Sequence, residues 1–463
     1  MLEKLRIQNF KSWQDTGDIA FGSLTGFFGT NSSGKSSILQ FLLMLKQTVE
    51  SSDRSRVLHL GDDKSYVDLG TMYDILHQHQ DPGELSFNFD WKDADTNPPF
   101  DDVISKLIEE YSVTPYKFSA AIEATGDNIF LRRFSYTHFN SIYNLRLLEN
   151  PLPKERNYEL YLTNELTPRK KEIEGIFRNP INFYGVPNGI YLNHPLIEDE
   201  LQRVEESFYH FFESIHYLGP LREFPKRTYL WGGEESEGVG NRGERAVAAL
   251  LSSRNQGPTI AMGFDQPKRT VEEHVAHWLK ELGLIYSFKV QPIAPNRKEY
   301  EVRIQRTKES ASVFLTDVGF GVSQILPVLV LLFYVPEGST VILEQPEIHL
   351  HPAVQAGLAD VFIDAIKRRK LQIVLESHSE HLLQRLQRRM AEFTLEPEKA
   401  VDPDSINLYF TSIKEGRSEL TTLDLDEYGN IRNWPEGFFG DTLGEAAAMM
   451  KAEMRRKMRE QQA

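Results

Sequence analysis

Residues 29–36 read Gly-Thr-Asn-Ser-Ser-Gly-Lys-Ser, and this stretch decides the fold expected for the chain. It follows the apolar run Leu24 to Phe28 and precedes a second apolar run with helical spacing, Ile38 to Leu45. A strand, a glycine-rich turn and a helix N-terminus together form an anion site, because backbone N–H groups at the turn point at the anion. The sequence therefore predicts an α/β fold that carries a phosphate-binding loop.

The fixed positions of this loop each have a predicted role. Gly29 and Gly34 allow the backbone to curl inward, so that its N–H groups face the phosphate oxygens. Lys35 reaches the outer phosphates with its charge, and the Ser36 hydroxyl is a ligand for Mg²⁺. Further predicted nucleotide-binding residues lie within the loop or directly after it: Asn31, Ser32, Ser33 and Ser37.

The composition limits the functions that are open to the chain. It has 463 residues, no cysteine and a formal net charge of −15. The missing cysteines exclude disulfides, Cys-ligated zinc and thiol catalysis, and the negative charge argues against general coating of nucleic acid. No run approaches the ~20 apolar residues of a membrane helix, and residues 1–6 contain no signal-like apolar core. We expect a cytoplasmic protein without a membrane partner, in which nucleic acid could bind only local basic patches or a partner protein.

Two short apolar strands are predicted late in the chain, at Ser339–Leu343 and Leu371–Leu375, with a pattern typical of a buried parallel sheet. Glu344 ends the first strand, where an acid in a P-loop ATPase lies beside the loop and holds Mg²⁺ directly or through water. His378 follows the second strand and could hydrogen-bond a γ-phosphate. A Gly/Ser loop at 317–324 opens an apolar helix and could receive phosphate through these candidate residues: Gly319, Gly321 and Ser323.

In this order the motifs resemble the ABC-type ATPase heads of the SMC, RecF and OLD group. The matching segments are the opening strand at Asn9–Trp13, the Walker A motif at 29–36, the signature loop at 319–324, the Walker B acid Glu344 and the switch histidine His378. The resemblance implies ATP and Mg²⁺ as cofactors. It also implies a homodimer or higher homo-oligomer, in which ATP lies head to tail between Walker A of one chain and the signature loop of another.

The C-terminal region extends the resemblance. The tail at Asn433–Phe439 is similar to one that is common in small bacterial members of this group, and several such members are ATPase subunits of two-gene anti-phage systems, including Septu and PARIS. Methionines recur at every fourth position near the end of the chain, at Met450, Met454 and Met458. Such a stripe is suited either to packing on its own domain or to docking on a partner.

Together these patterns predict an ABC-type P-loop ATPase head with a mixed central sheet, an antiparallel β subdomain and a helical insert. Period-two alternation between residues 84 and 163 indicates the antiparallel part, and an amphipathic helix is expected at Leu196–His216. The predicted parts are the N-terminal part of the head at 1–80, the β subdomain at 81–195, the helical insert at 196–305, the C-terminal part of the head at 306–440 and a terminal helix at 441–463.

One residue departs from the pattern of the group. ABC-type heads usually carry a glutamate directly after the Walker B acid as the general base for water, and here that residue is Gln345. A neutral amide cannot accept the proton, although it can orient a water molecule. Glu347 and His378 are possible substitutes, so the predicted catalytic set is Glu344, Gln345, Glu347 and His378. We expect slow turnover, or nucleotide that serves chiefly as a switch.

Two functions remain open at this point. In the first, ATP-dependent closure switches a separate effector, a nuclease in anti-phage defence. In the second, the chain is a RecF-like DNA-repair or DNA-binding ATPase whose basic helices hold DNA, with Lys367–Lys370 and Arg385–Arg389 as candidate contacts. The acid pairs Asp402/Asp404 and Asp424/Asp426 are expected to be turn and surface acids, so the chain itself is not expected to be a nuclease.

Overall fold

In the computed structural model, the glycine-rich loop joins a central strand to the first long helix. The structure describes residues 1–93, 114–138, 141–148, 156–164, 171–178, 180–186, 195–262, 267–435, 438, 449–452 and 454. Within them the strands are β1 (Leu2–Phe10), β2 (Trp13–Asp15), β3 (Ile19–Ala20), β4 (Leu24–Gly29), β5 (Gly83–Trp91), β6 (Tyr116–Thr125), β7 (Asn128–His138), β8 (Ser141–Leu147), β9 (Asn157–Asn164), β10 (Lys171–Arg178), β11 (Ile215–Leu218), β12 (Tyr229–Leu230), β13 (Thr259–Ile260), β14 (Arg269–Thr270), β15 (Ser287–Pro292), β16 (Glu299–Gln305), β17 (Val313–Phe314), β18 (Thr340–Glu344), β19 (Gln372–Glu376), β20 (Ile406–Lys414) and β21 (Arg417–Thr422).

Helices connect and cover these strands. The α-helices in the described residues are α1 (Lys35–Val49), α2 (Met72–Ile75), α3 (Pro195–Glu213), α4 (Ala246–Gln256), α5 (Val271–Glu281), α6 (Phe320–Tyr334), α7 (Pro352–Arg369) and α8 (Glu380–Ala391). The terminal helix predicted at 441–463 lies largely outside the described residues, of which 449–452 and 454 are helical.

The central sheet has the strand order β11-β18-β19-β4-β20-β21. All neighbouring pairs are parallel except β20 with β21, so the sheet is mixed, as predicted. Every residue of β4, β18 and β19 is buried, which is typical of parallel strands covered on both faces. The strand that carries the glycine-rich loop therefore lies inside the sheet, next to β19.

Alternating side chains divide the central sheet between two hydrophobic cores, because successive residues of a strand point to opposite faces. Ile342 of β18 and Val374 of β19 pack in a core with α1, α3 and the antiparallel sheet. Their neighbours Val341 and Ile373 pack on the other face, with α4 to α8. The aromatic side chain of Phe438 from the C-terminal tail covers this second face near the loop, at 6.0 Å from the ring of Phe28.

The antiparallel sheet predicted between residues 84 and 163 is confirmed and is larger than expected. Its strand order is β10-β9-β8-β7-β6-β5-β1-β2, with β3 also paired to β1. Since β1 pairs with β5 along its length, this sheet extends across the predicted boundary at residue 80. The region between α3 and α6 contributes α4, α5 and a small sheet of β12, β15, β16 and β17, where a helical insert was predicted.

The predicted helix at Leu196–His216 is wrong at its C-terminal end. Helix α3 ends at Glu213, and Ile215 to Leu218 form β11, which pairs in parallel with β18. The backbone groups of this segment thus complete the edge of the central sheet, a tertiary constraint that helical periodicity does not reveal. No helix in the described part of the chain is long and apolar enough to cross a membrane.

Helix α3 is held on the antiparallel sheet by an aromatic core. The ring of Phe208, which is fully buried, lies within 4.8 to 6.0 Å of seven other aromatic rings: Phe89, Trp91, Phe118, Tyr136, Phe183, Tyr184 and Phe212. Removing such a ring loses its burial and leaves a cavity that the neighbouring rigid rings cannot close.

Phe208→Ala should therefore lower the free energy of unfolding by about 3–5 kcal/mol. The neighbouring Tyr209→Ala is the matched control, because that side chain is 38% exposed and its loss should change stability by about 0.5 kcal/mol or less. Urea unfolding followed by circular dichroism measures both. Equal urea midpoints for the two variants would contradict the assignment of this core.

Candidate nucleotide site

The backbone of the glycine-rich loop adopts conformations that require glycine. Gly29 ends β4 with φ of 140°, and Gly34 precedes α1 with φ of 93°. A Cβ atom on Gly34 would lie 2.6 Å from Ser418 Oγ and 2.8 Å from Trp13 Nε1, so a larger residue would displace the loop. Gly34 also offers no side chain to cap α1, which leaves the N–H groups of the first turn for an anion.

Buried polar contacts fix the loop to the sheets on either side. Trp13 Nε1 donates to the Gly34 carbonyl oxygen at 3.0 Å. The buried Ser33 Oγ donates to the Thr30 carbonyl oxygen at 2.7 Å and lies 2.5 Å from Thr411 Oγ1 on β20. The opening segment Asn9–Trp13 and strand β20 therefore hold the loop in place, whereas Asn31 and Ser32 are exposed to solvent.

The predicted phosphate lysine lies inside the loop. Lys35 Nζ donates to the carbonyl oxygens of Gly29 at 3.2 Å and Thr30 at 2.7 Å. Burial lowers the pKa of Lys35, while the carboxylates of Glu376 and Glu347 oppose that shift. The two acids that act on this lysine lie at the end of β19 and just after β18, so the loop and both strand ends meet at one place.

A contact that the sequence analysis did not predict joins the loop to β19. Ser36 Oγ donates to Glu376 Oε2 at 2.7 Å, and Glu376 is the last residue of β19. Glu344, the predicted Mg²⁺ acid, ends β18 directly beside it, since the two glutamates are register partners. The signal for Glu376 was an acid that ends an apolar strand, the same signal that identified Glu344.

The two glutamates differ in their hydrogen bonds. Glu344 Oε1 accepts a hydrogen bond from the Tyr217 hydroxyl at 3.0 Å. Burial, together with the charge of the nearby Glu376 carboxylate, raises the pKa of Glu344 to about 7. Glu376 is 3% exposed and holds Ser36. The carboxyl ends of β18 and β19, together with Ser36, thus present two buried carboxyl groups and a hydroxyl, all of them oxygen ligands.

This donor set fits Mg²⁺, which prefers oxygen ligands and usually takes only one or two carboxylates with substrate phosphates and water. The described residues contain no cluster of three or more His, Cys, Asp or Glu side chains that could hold a metal alone. Ser36 and Glu344, the predicted metal residues, lie where a nucleotide on the loop would supply the missing ligands.

The remaining predicted catalytic residues lie around the carboxyl ends of β18 and β19. Gln345 has φ of 44°, and its N–H donates to the Glu376 carbonyl oxygen at 2.9 Å. Glu347 Oε1 accepts the backbone N–H of His378 at 2.7 Å, and its buried Oε2 has no partner in the described structure. Burial raises the pKa of Glu347. Loss of hydration and the charge of Lys35 lower the pKa of His378.

Arg222 binds the backbone that follows β18. Its buried guanidinium donates from Nη1 to the carbonyl oxygens of Pro220 at 3.0 Å and Gln345 at 3.3 Å. Arg222 therefore holds the backbone at Gln345, a contact between residues 123 positions apart that the sequence pattern did not predict. Gln80 Oε1 accepts from Asn9 Nδ2 at 3.3 Å, beside the opening segment.

The predicted signature loop lies apart from the glycine-rich loop. Gly319 precedes α6, and Ser323 Oγ donates to the Phe320 carbonyl oxygen at 2.8 Å. The exposed Phe320 ring packs 5.1 Å from the ring of His349. Among the described residues, no hydrogen bond, ion pair or ring contact joins 319–323 to 29–37. The predicted site residues thus form two separate groups within one chain.

Other polar side chains near the strand ends and in the C-terminal part have structural roles. His351 Nδ1 caps α7 by accepting the Ala353 N–H at 3.3 Å. Asp402 accepts the N–H of Asp404 at 3.0 Å in a turn, and Asp426 accepts the N–H groups of Tyr428 and Asn430. These acids cap turns, as expected from the sequence.

The fold, with its glycine-rich loop beside two strand-end acids, is that of a P-loop ATPase domain. Comparison with protein families agrees with the ATPase class. Residues 1–182 match the family described as "AAA ATPase domain", and residues 198–384 match "AAA domain, putative AbiEii toxin, Type IV TA system". Residues 401–449 match a protein family of unknown function, DUF3696. No curated protein matches the chain.

Solved structures similar to the chain include SMC heads. The SmcHead bound to the C-winged helix domain of ScpA shares 12% identity over 92% of this chain and 98% of that chain, with a TM-score of 0.46. The SMC head domain from Thermotoga maritima shares 11% identity over 91% and 99%, with a TM-score of 0.37. An Smc head with an extended coiled coil, bound to the C-terminal domain of ScpA from Pyrococcus furiosus, shares 10% identity over 98% and 99%, with a TM-score of 0.42.

Proposed function

We propose that the chain is an ATP-binding and ATP-hydrolysing switch subunit of the ABC type that controls a separate effector. One observation carries the nucleotide part of the proposal: Ser36 Oγ, in the first turn of α1, donates to the Glu376 carboxylate at 2.7 Å. This contact joins the phosphate loop to the acids at the strand ends, the arrangement that Mg²⁺ and terminal phosphates require. The matches to AAA ATPase domains support the same function.

Each group at the proposed site has its own task. The N–H groups of the loop and Lys35 hold the phosphate oxygens, and Ser36 with Glu344 holds Mg²⁺. Mg²⁺, when bound, neutralises charge on the phosphates. The lowered pKa of His378 favours the neutral ring, which can donate one hydrogen bond to the γ-phosphate.

Lys35→Ala should weaken ATP binding by about tenfold or more, because a hydrogen bond to a charged group contributes about 1.5–3 kcal/mol. Lys289→Ala is the matched control, since Lys289 is exposed on β15 in another part of the chain. Titration calorimetry with ATP and Mg²⁺ measures both affinities. Unchanged ATP binding by Lys35→Ala would contradict the assignment of the phosphate loop.

A complete site is proposed to need two chains. The N-terminus of α6 offers backbone N–H groups, and neither Gly319 nor Gly321 has an atom within 3.4 Å of where a Cβ would stand. This glycine-lined end is open, and Phe320 beside it is 43% exposed. A phosphate bound on the loop of one chain could therefore be closed off by 319–323 of a second chain, in a head-to-tail homodimer or higher homo-oligomer.

Turnover at such a site is proposed to be slow. Gln345 occupies the position of the usual general base, and its amide cannot accept a proton. Glu347 is near enough to Lys35 to affect its pKa, but its Oε1 is engaged by the N–H of His378. Glu347 and His378 are the candidates for positioning or activating water in its place.

The native chain should thus hydrolyse ATP well below the ~10 s⁻¹ median of enzymes. Gln345→Glu supplies a carboxylate of nearly the same shape, so it should raise kcat, whereas Glu344→Ala should abolish turnover. Phosphate release at saturating ATP and Mg²⁺ measures all three. Rapid hydrolysis by the native chain that survives Glu344→Ala would show that the catalytic acid has been misplaced.

The effector is proposed to be a nuclease in anti-phage defence. The support is the resemblance to ATPase subunits of two-gene systems and the match to a family whose description names a toxin–antitoxin system. The chain also exposes large apolar side chains near its end, Met449, Met450 and Met454, each more than half exposed. We propose that these methionines contact the effector; Met458, the next of the stripe, lies outside the described residues.

The alternative, a RecF-like ATPase that binds DNA directly, has less support from the basic clusters. Arg368 pairs with Asp364, and Lys370 with Glu337. Asp360 pairs with both Arg385 and Arg389. These cations are largely balanced by acids of the same chain, so they do not form the uncompensated basic face that phosphate backbones require.

The pure chain should not cleave nucleic acid, because phosphodiester cleavage usually needs metal-binding acids in a cleft of their own. Incubation with plasmid, single-stranded DNA and tRNA, in Mg²⁺ and in Mn²⁺, checks this. The same assay on a complex purified with the product of the adjacent gene should give cleavage. Cleavage by the pure chain that is lost in Asp424→Ala or Asp426→Ala would make this chain the effector.

A further inference from the structure

We infer that Glu376 is a second acid of the Mg²⁺ site and positions the metal together with Glu344. The inference rests on the proposed ATPase function and concerns how Glu344, at the end of β18, and Glu376, at the end of β19, each contribute to Mg²⁺ binding. From the sequence, Glu344 at the end of β18 is the only acid expected to hold Mg²⁺. The structure instead connects the metal-binding hydroxyl of the loop to the end of β19.

The first observation is the partner of Ser36. Its hydroxyl is the group that the loop offers to Mg²⁺, and it donates to Glu376 Oε2 at 2.7 Å. Glu344 makes its side-chain hydrogen bond in another direction, with the Tyr217 hydroxyl at 3.0 Å. An ion held by Ser36 must therefore lie within reach of the Glu376 carboxylate, either as a direct ligand or through one water.

The second observation is the pair of acidic side chains at the carboxyl ends of β18 and β19. Glu344 and Glu376 are register partners and are 7% and 3% exposed. In the part of the chain that the structure describes, neither forms an ion pair. The cations nearby are engaged elsewhere: Lys35 and Arg222 donate to carbonyl oxygens, and Lys11 donates to Gln40. Two adjacent buried acids without an ion pair are a site that a divalent cation would stabilise.

These two observations assign different tasks to the two acids. Glu376, through Ser36, fixes the metal relative to the phosphate loop. Glu344, held by Tyr217, fixes it relative to β18 and the following residue Gln345. Metal binding thus connects the loop with both strand ends, and the loss of either acid should weaken the metal without removing the phosphate contacts.

The test compares metal binding with metal-free nucleotide binding. Mn²⁺ affinity in the presence of ADP is measured by electron paramagnetic resonance, and ATP affinity in EDTA by calorimetry. Glu376→Gln, which keeps the shape of the side chain, should weaken Mn²⁺ binding by about tenfold or more. It should not weaken ATP binding in EDTA, because the change removes a negative charge near the phosphate loop. Glu380→Gln, at the start of α8, is the matched control and should bind Mn²⁺ as the native chain does, since Glu380 accepts only from Gln384 of its own helix.

Two results would overturn the inference. In one, Glu376→Gln binds Mn²⁺ normally; in the other, it loses ATP affinity equally with and without metal, as a structural role would predict. Should Glu376→Gln fail to fold, Glu376→Asp, whose shorter side chain withdraws the carboxylate from Ser36, should also weaken Mn²⁺ binding in ADP and leave ATP binding in EDTA intact. Normal Mn²⁺ binding by Glu376→Gln together with loss of ATP binding in Lys35→Ala would reject this inference alone. Retained ATP binding in Lys35→Ala would instead reject the proposed function.

Discussion

The parallel register of β18, β19 and β4 is the constraint on which the rest of the site depends. It places the last residues of the three strands, Glu344, Glu376 and Gly29, along one edge of the sheet. Ser36, at the start of α1, then reaches Glu376. A slip of one residue in either strand would turn an acid to the opposite face, where it would be buried among aliphatic side chains. Both hydrophobic cores hold this register, because neighbouring residues of each strand pack on opposite faces.

The charge distribution explains why nucleotide and metal would act as one ligand. The edge holds two buried carboxyl groups, and the lysine of the loop is bound to its own backbone carbonyls. Phosphates would draw Lys35 away from these carbonyls, and Mg²⁺ would join the phosphates to the acids. The backbone after β18 and β19 carries Gln345, Glu347 and His378, so the proposed metal and the proposed catalytic residues share the same two strand ends. This connection gives a physical basis for a switch that responds to bound ATP.

The local features of the site could be predicted from the sequence, and its long-range partners could not. The loop at 29–36 and the ends of β18 and β19 are marked by composition and strand pattern over a few residues. Glu376 was missed because its partner Ser36 is 340 positions away and is set by strand order alone. The predicted helix ran into the first two residues of β11, because the pairing of this strand with β18 is a tertiary contact. The basic cluster at 367–370 looked available for nucleic acid, although acids elsewhere in the chain pair with it.

The central claim is that ATP on the loop of one chain is enclosed by residues 319–323 of another. Sedimentation velocity with Mg²⁺ and ATP tests it most directly. The chains compared are the native chain, Gly321→Glu and the control Ser312→Glu, which adds the same charge at an exposed position before β17. The account predicts ATP-driven association of the native chain and the control. Gly321→Glu should bind ATP and fail to associate, because its carboxylate would face the phosphates. Normal ATP-driven association of Gly321→Glu would contradict the shared site.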